Sequence, residues 1–215
     1  MDLKEISIFS KLSDQELEIM KSKTQFEERL YKKDDHIFMV GEVSSDMYYL
    51  IEGSILVYKL DSNGKRYIIR KFNKKAILGE VYSYLEEPFD FFAQAERDSK
   101  VLVIHDFKRL FSLDAPEKFF LSYINLLSKK CLSLSRANQT ISQSTLRQKI
   151  AKDLLLRERE DIIHMDISRE EWADTLATTR PSLSRELSNM IYDNLIEIKE
   201  KTIKILDKDR LKDII

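Results

Sequence analysis

Arginine and hydroxyl residues recur in a short segment of the C-terminal third, TTRPSLSRELSNM at residues 178–190. Thr179 suits a helix N-cap, and Pro181 suits the first turn because amides there have no intrahelical acceptor. The apolar stripe predicted to face inward comprises Leu183, Leu187, Met190 and Ile191. The residues predicted to face outward are Arg180, Ser182, Ser184, Arg185 and Ser188. Arginine binds guanine O6 and N7 bidentately, and hydroxyls and first-turn amides bind phosphates, so this helix has the chemistry of a DNA major-groove binder.

A second helix is predicted just before this segment. Ser168 followed by Glu171 has the pattern of a capping box, so a helix should begin near Arg169. Trp172, Ala173 and Leu176 form its apolar stripe, and the helix should end near residues 177–179. A small hairpin follows up to residue 206. Two short helices, a tight turn and a hairpin predict a winged helix-turn-helix; the alternative is an ordinary α-hairpin with solvated arginines.

The composition limits the kinds of site and partner. The chain has 215 residues, enough for two domains of ordinary size, and carries 36 basic and 37 acidic residues for a net charge of -1. Only a locally basic face would therefore bind DNA. A single cysteine, Cys131, excludes an internal disulfide and a four-cysteine metal or iron–sulfur site within one chain. Without a signal pattern or an apolar run of roughly 20 residues, we expect a soluble, cytoplasmic protein with no membrane partner.

The N-terminal half changes from one helix to many strands. Ser13 and Glu16 predict a short capped helix over residues 13–25. From Phe26 to Ile104, short runs rich in β-branched and aromatic residues predict strands separated by turn signals. Those signals include Glu52-Gly53, Asn63-Gly64, Gly79 and Arg97-Asp98. Their spacing of roughly 8 to 12 residues favours an antiparallel barrel or jelly roll.

A long helix is predicted to join the two halves. Residues 117–159 contain neither Gly nor Pro and carry helical periodicity throughout. Steps of four and three residues define a heptad seam made of Phe120, Ile124, Leu127, Cys131, Leu134, Asn138 and Ile141. The seam indicates a partner helix in a dimer, in which Asn138 either fixes the register or marks the end of the seam. In the alternative, the stripe packs on the chain's own β domain.

These patterns together predict an α+β fold. We expect an N-terminal antiparallel β-roll of the double-stranded jelly-roll type over residues 1–112, a dimerisation helix over residues 113–143 and a winged helix-turn-helix over residues 144–215.

In this order the three parts resemble the Crp/Fnr family of bacterial transcription regulators. The resemblance covers nearly the whole chain and is carried by IFSKLSDQELEIM at 8–20, GEVSSDMYYLIEGSILVYKLDSNGKRYII at 41–69, Gly79-Glu80, and TTRPSLSRELSNM at 178–190. It implies base contacts from Arg180, Pro181, Ser184 and Arg185. It implies phosphate contacts from Ser168, Arg169, Thr179 and Ser182. Many members have Glu in place of Pro181, and that Glu accepts a hydrogen bond from cytosine, which proline does not.

The same resemblance implies an effector pocket in the β-roll. In nucleotide-responsive members the Glu of the Gly-Glu pair binds the ribose, and an Arg-Ser pair further along binds the cyclic phosphate. The corresponding segment here is EPFDFFAQA at 87–95, which has Asp90 and phenylalanines instead of a cation. The candidate pocket consists of Gly79, Glu80, Val81, Asp90, Phe91 and Phe92. Because a phosphate beside Asp90 would have no guanidinium partner, we predict that cyclic AMP does not bind. Either an apolar or aromatic ligand lies between the Phe rings, or side chains fill the pocket.

Other sensing chemistries have fewer candidate residues. A single cysteine excludes the iron–sulfur mode within a monomer. His36, His105 and His164 are available as haem ligands, but scattered histidines are mostly structural. Cys131 is interpreted by default as a small buried hydrophobe, with a redox role as the alternative. The sequence has no histidine cluster that would make a cupin-like metal site, so we predict neither a metal nor an enzyme.

The leading functional prediction is a homodimeric, sequence-specific DNA-binding transcription regulator. A signal at the β-roll, through an unknown small-molecule effector, would control two recognition helices that bind a palindromic operator with half-sites about one helical turn apart. RNA polymerase is a further candidate partner. The alternative is a ligand-binding or protein-interaction module whose winged domain no longer binds DNA, which the absence of a basic balance favours.

Overall fold

The computed structural model describes residues 2–64 and 66–215. Met1, at the start of the predicted β-roll domain, and Lys65, just after the predicted Asn63-Gly64 turn, lie outside the described residues. The chain divides into two compact units, one ending at Leu127 and the other beginning at Ser128. Among the described residues, no helix combines the length and the apolar character needed to cross a membrane.

The N-terminal unit begins with the predicted capped helix, α1 (Asp14–Lys23). The Glu16 amide donates to the Ser13 hydroxyl at 3.2 Å, and the Ser13 amide donates to the Glu16 carboxylate at 2.7 Å. Leu17 and Met20 are buried in the same core as the rings of Phe9, Phe107 and Phe119. The prediction of α1 from its capping box is therefore confirmed.

Among the described residues of this unit, six strands form one antiparallel sheet. They are β1 (Phe26–Tyr31), β2 (His36–Phe38), β3 (Met47–Leu60), β4 (Arg66–Phe72), β5 (Ala76–Leu78) and β6 (Phe92–Ile104). The order is β1-β6-β3-β4, with β2 also on β6 and β5 also on β3. The short helix α2 (Glu80–Leu85) lies between β5 and β6 in the chain. The predicted antiparallel β-roll is confirmed.

Two of the predicted turns are wrong. The strands β3 and β6 continue through Glu52-Gly53 and Arg97-Asp98, with irregular register between Leu50 and Ile55. Gly53 has φ +109°, and a Cβ atom there would lie 2.2 Å from the Ser99 hydroxyl oxygen. The glycine is therefore used for a close approach of two strands at a bulge, a role that a turn signal does not distinguish.

The predicted unbroken helix over 117–159 is also wrong. Helix α3 (Glu117–Ile141) ends before a short hydroxyl-rich segment, and α4 (Leu146–Arg157) begins after it. The Gln148 amide donates to the Thr145 hydroxyl at 3.1 Å, and the Thr145 amide donates to the Gln148 side-chain oxygen at 3.1 Å. This capping box starts a new helix because it satisfies amides that a continuous helix would bond internally.

The C-terminal unit is a winged helix-turn-helix, as predicted. After α4 its elements are β7 (Ile162–His164), α5 (Arg169–Thr175), α6 (Arg180–Tyr192), β8 (Ile196–Lys199), β9 (Thr202–Ile205) and α7 (Lys208–Asp213). The strands pair in the order β7-β9-β8. Trp172, Leu183, Leu187 and Met190 are buried in its core together with Leu211 of α7. Ile191, predicted to face inward, is 41% exposed, because Leu183, Leu187 and Met190 already complete the stripe that faces the core.

Candidate nucleic-acid interface

Helix α5 begins at the predicted capping box. The Glu171 amide donates to the Ser168 hydroxyl at 3.1 Å, and the Ser168 amide donates to the Glu171 carboxylate at 2.7 Å. After α5 the chain turns at Ala177, which has φ +50°, and the Thr178 amide donates to the Ala173 carbonyl at 3.0 Å. Ala177 is exposed, and its own amide donates to the Asp174 carbonyl at 3.0 Å, so backbone hydrogen bonds hold this left-handed turn that leads into α6.

The exposed start of α6 brings the predicted DNA-contacting residues together. The Thr179 hydroxyl accepts from the Ser182 amide at 3.3 Å and lies 2.9 Å from the Ser182 hydroxyl. Leu183 faces the core. The residues exposed on the first two turns are Arg180, Pro181, Ser182, Ser184 and Arg185. Two guanidinium groups, several hydroxyls and the positive end of the helix dipole therefore share one open surface.

A pair of ionic contacts fixes α6 against α4. The Arg147 guanidinium donates through Nε to Glu186 at 2.5 Å and through Nη1 to Asp193 at 2.6 Å. Glu186 and then Asp193 raise the pKa of Arg147. The contact orients α6 and neutralises a carboxylate on the helix that carries Arg185. The sequence does not reveal this contact, because Glu186 and Asp193 lie 39 and 46 residues from Arg147 along the chain.

Arg169 differs from the other predicted phosphate contacts. Its guanidinium lies 5.4 Å from the centre of the Trp172 ring, and its Nη1 atom is buried without a hydrogen-bond partner. Burial lowers the pKa of Arg169. The Trp172 indole N–H donates to Asp153 at 2.8 Å, which fixes the ring beneath Arg169. Arg169 is therefore half-buried, whereas Ser168, Thr179 and Ser182 are exposed.

The outer face of α5 is acidic. Burial raises the pKa of Asp174, and the neighbouring Glu170 and Glu171 add to this shift. Arg180 lies 3.9 Å from Glu170, and both side chains are more than half exposed, so this ion pair is weak. The outer face of α5 therefore adds no basic surface beside the exposed arginines of α6.

The wing supplies a cation that sequence analysis did not single out. Lys201 is exposed at the tip of the β8–β9 hairpin, next to Glu200 with φ +52°. Lys199, on the other side of the tip, is paired with Glu197 at 2.8 Å. The sequence does contain a signal for Lys201, because it lies in a tight turn between two short strands with alternating apolar residues.

In the N-terminal unit the candidate effector residues form two groups. One lies at the start of α2 and the other at the start of β6. Gly79, with φ +76°, precedes α2, and a Cβ atom there would lie 3.2 Å from the Tyr48 ring. Glu80 is buried, whereas Val81 is 40% exposed. Asp90 accepts from the Lys59 ammonium at 2.8 Å and from the Tyr82 hydroxyl at 2.6 Å.

These contacts keep Asp90 charged. Lys59 first, and then Tyr82, lower the pKa of Asp90. Burial first, and then the hydrogen bond to Asp90, raise the pKa of Tyr82 to about 12. An anionic carboxylate therefore occupies the position where the resemblance implies a cation for a phosphate.

The neighbouring phenylalanines pack with other rings of the β-roll. Phe89 is 1% exposed and stacks on Phe38 with ring centres 3.9 Å apart. Phe91 lies edge-on to Tyr82 at 5.2 Å, while Phe92 stacks on Tyr58 at 5.1 Å. The structure therefore separates Phe91 from Phe92, as expected for successive residues entering a strand. This packing favours the interpretation in which side chains fill the pocket.

The three histidines lie apart. His36 is 3.1 Å from the Tyr58 hydroxyl, His164 is 3.3 Å from the Thr202 hydroxyl, and His105 lies between Asp46 at 3.1 Å and Glu27 at 3.0 Å. Within the described residues, no three His, Cys, Asp or Glu side chains are grouped so that they could hold a metal ion. Cys131 is exposed, so its interpretation as a buried hydrophobe is wrong for the single chain.

Two different stripes occur along α3. The residues that pack on the core of the β-roll are Phe119 and Tyr123, with Leu126 and Leu127 partly buried against them. Of the predicted seam, Phe120 contacts the Phe111 ring at 5.9 Å. Ile124, Leu134 and Ile141 are 57%, 69% and 43% exposed, and Cys131 and Asn138 are exposed as well. Within the N-terminal unit, the seam residues Phe120 and Leu127 therefore contact the β-roll, whereas Ile124 is exposed.

Two family models match successive parts of the chain. Residues 28–113 match the cyclic nucleotide-binding domain, and residues 148–214 match the Crp-like helix-turn-helix domain. The CRP-like protein Clp of Xanthomonas euvesicatoria pv. vesicatoria is 23% identical over 189 residues, which cover 81% of this chain and 82% of Clp.

Solved structures show the same fold. A CooA variant from Carboxydothermus hydrogenoformans superposes with a TM-score of 0.65 at 18% identity, over 99% of this chain and 96% of that one. The c-di-GMP-responsive global regulator CLP of Xanthomonas campestris gives 0.60 at 18% identity, over 91% and 100%. FixK2 from Bradyrhizobium japonicum gives 0.55 at 20% identity, over 88% and 97%. With both domains matched in this order and an exposed recognition helix in the second, the chain belongs to the Crp/Fnr family of DNA-binding transcription regulators.

Proposed function

We propose that the protein is a homodimer that binds a two-fold symmetric DNA operator through α6 and responds at its β-roll to a signal other than cyclic AMP. The observation that carries the proposal is the exposed surface of Arg180, Pro181, Ser184 and Arg185. Glu186, the carboxylate next to this surface, is bound to Arg147 and so does not oppose a DNA phosphate. The four exposed side chains are the base contacts, with the arginines binding guanine.

Phosphate contacts surround this helix. The hydroxyls of Ser168, Thr179 and Ser182 lie at the starts of α5 and α6, where helix N-termini attract anions. Lys201 adds a cation at the tip of the wing. Arg169 is half-buried, so its phosphate contact would come from the part of the guanidinium that remains exposed and not from the buried Nη1 atom. These contacts orient the domain on the duplex without selecting its sequence.

The exposed seam of α3 supports the dimer. Ile124, Leu134 and Ile141 would lose their solvent exposure against the same helix of a second copy, as in a two-stranded coiled coil. In the N-terminal unit, the seam residues Phe120, Ile124 and Leu127 line an apolar groove of about 490 Å³ that also reaches α2. The groove is lined by Val81, Tyr84, Leu85, Phe111, Phe120, Tyr123, Ile124 and Leu127.

The dimer is tested by placing a charge in the seam. Leu134→Lys should produce a monomer in analytical ultracentrifugation and abolish operator binding. The dimer would bury one ammonium group from each protomer in a seam whose other residues are uncharged. Ser133→Lys, on an exposed position one residue away, is the matched control and should remain dimeric. A dimeric Leu134→Lys protein would contradict the assignment of the seam.

The aromatic packing and the charge of Asp90 support a signal other than cyclic AMP. A cyclic phosphate placed beside Asp90 would meet a carboxylate, and Phe38 and Phe89 already pack together in the buried core. Titration calorimetry with cyclic AMP should give no binding heat. Cyclic di-GMP belongs in the same screen because CLP of Xanthomonas campestris responds to it.

Selection from random duplexes tests the DNA-binding role. The purified protein is incubated with the pool at near-physiological salt, with and without cell extract, and the bound fraction is sequenced. Enrichment of a palindrome is the expected result, and its appearance only with extract would identify an obligatory effector. If neither selection enriches a sequence, the acidic face of α5 favours the second candidate, an interaction module whose winged domain does not bind DNA.

A further inference from the structure

One residue on the exposed start of α6 has no side-chain polar atom. Pro181 is flanked by Arg180 and Ser182, and Ser184 and Arg185 follow one turn later on the same side of the helix. As a proline it also lacks a backbone N–H, so it neither donates nor accepts a hydrogen bond toward a base from its side chain or amide. An exposed apolar ring is thus surrounded by polar groups on the surface that approaches DNA.

Base pairs differ in what they present to such a ring. In the major groove, cytosine and adenine present amino donors, guanine presents two acceptors, and thymine presents a 5-methyl group beside its O4 acceptor. A polar edge covered by an apolar ring loses hydrogen bonds to water without replacing them, whereas the methyl group gains by being covered.

We propose that Pro181 makes this regulator select thymine, recognised by contact between the pyrrolidine ring and the thymine 5-methyl group. The inference rests on the proposed function, since it requires α6 to lie in the major groove. It assigns a base to a position where no hydrogen bond is available.

The surroundings of Pro181 make this contact well defined. The Thr179 cap fixes the start of α6, and the Arg147 contacts to Glu186 and Asp193 fix its second half. The ring has no side-chain rotamers to order on binding. Glu186, the carboxylate on α6, is held by Arg147, so it does not accept from a cytosine amino group in place of Pro181.

The first experiment compares the operators selected by three proteins. Wild type, Pro181→Ala and Pro181→Glu are each taken through the random-duplex selection. The operator position contacted by residue 181 is the one at which wild type and Pro181→Glu enrich different bases. Wild type should enrich thymine there, Pro181→Ala should keep thymine because its methyl group is also apolar, and Pro181→Glu should shift to cytosine because a carboxylate accepts from the amino group.

The second experiment isolates the methyl group. Replacing that thymine by uracil in one half-site of the enriched operator removes one 5-methyl group and leaves base pairing unchanged. Wild-type affinity should fall about fourfold, the value expected for one buried methyl group, while Pro181→Glu should show no such loss. A uracil placed at a thymine outside the half-sites is the matched control.

The outcomes separate the inference from the proposed function. An enriched palindrome with thymine at this position and a loss on uracil substitution supports both. A palindrome without thymine there, or with thymine but no response to uracil, overturns the role of Pro181 and leaves the DNA-binding role intact. If no palindrome is enriched with or without extract, both are overturned. Circular dichroism and ultracentrifugation of the two variants confirm that they are folded and have the wild-type oligomeric state.

Discussion

The β-roll and the winged helix-turn-helix use their polar groups in opposite ways. Around the candidate effector segment, Asp90 is bound by Lys59 and Tyr82, and Phe89 is stacked on Phe38 in the core. At the start of α6, Arg185 and Ser184 are exposed to solvent. Groups that satisfy one another stabilise the fold, whereas exposed cations and hydroxyls remain available to a partner.

This difference indicates where each domain's specificity comes from. The winged domain presents open hydrogen-bonding groups on a helix that Arg147 holds in place, which suits a partner as polar as DNA. The β-roll has the Gly79-Glu80 pair that the resemblance implies, and a Cβ atom on Gly79 would lie 3.5 Å from the ring of Phe89, which Asp90 follows in the chain. If cyclic AMP does not bind, as proposed, this domain retains its family fold with a different chemistry at its ligand position.

The largest expected effect is on the aromatic stack. Phe89→Ala should reduce the free energy of unfolding of the β-roll by about 3–5 kcal/mol, because it removes a fully buried ring. The half-buried Phe91→Ala is the control and should cost less. Urea unfolding is followed by circular dichroism, while fluorescence of Trp172, the only tryptophan, reports on the winged unit. An unchanged β-roll midpoint would show that Phe89 lines an open pocket.

The second largest effect is expected on operator binding by the exposed surface of α6. Arg185→Ala should weaken operator binding by about 1–3 kcal/mol, since it removes a bidentate contact to guanine. Its Trp172 fluorescence midpoint in urea should not move, because the side chain is exposed. Lys212→Ala, on α7, should leave affinity unchanged. Fluorescence anisotropy with a labelled operator provides the measurement, and equal affinity for wild type and Arg185→Ala would contradict the assignment.

A smaller effect concerns the acid dependence of the β-roll. Since the folded-state pKa of Asp90 is lowered, its contribution to stability is present above the ordinary aspartate pKa and is lost as pH falls through the lowered value. Asp90→Asn should therefore be less stable than wild type at pH 6, by about 0.2–1 kcal/mol for a pair this exposed. The difference should vanish in strong acid. A difference independent of pH would assign the effect to packing.

The smallest effect is expected on the acidic face of α5. The pKa of Asp174 is raised in the folded protein, so its charged form destabilises the domain at neutral pH, and this penalty is relieved as pH falls through the raised value. Asp174→Asn should stabilise the winged unit at pH 7 by about 0.5 kcal/mol or less. Urea midpoints from Trp172 fluorescence measure the gain, with the exposed Asp166→Asn as control. A loss of stability would reverse the assigned sign.

Local patterns in the sequence predicted most of the secondary structure and the exposure of Arg180, Ser182, Ser184 and Arg185 on α6. The capping boxes at Ser13 and Ser168 predicted the starts of α1 and α5, because their hydrogen bonds join residues three positions apart. Periodicity placed Leu183 in the core and Arg185 outside. The same kind of local signal at Thr145 was available but was outweighed by helical periodicity on both sides of it.

Some outcomes depend on residues that are distant in the chain. Gly53 has the signal of a turn, yet its approach to Ser99 across the sheet makes it a bulge. Arg169 has the pattern of an exposed helix start, yet Trp172 and the packing around it half-bury the guanidinium. In both places burial and pairing with a distant segment override the local preference.

The sequence by itself determined the order of the elements, the caps and the outward face of α6, since each depends on residues within one or two helical turns. Only the tertiary structure decided that Arg147 holds Glu186 and Asp193, that Phe38 stacks on Phe89, and that Lys59 and Tyr82 bind Asp90. The physical reason is that ion pairs and ring stacks require a contact geometry that composition and periodicity do not encode, because their partners meet only after the chain has folded.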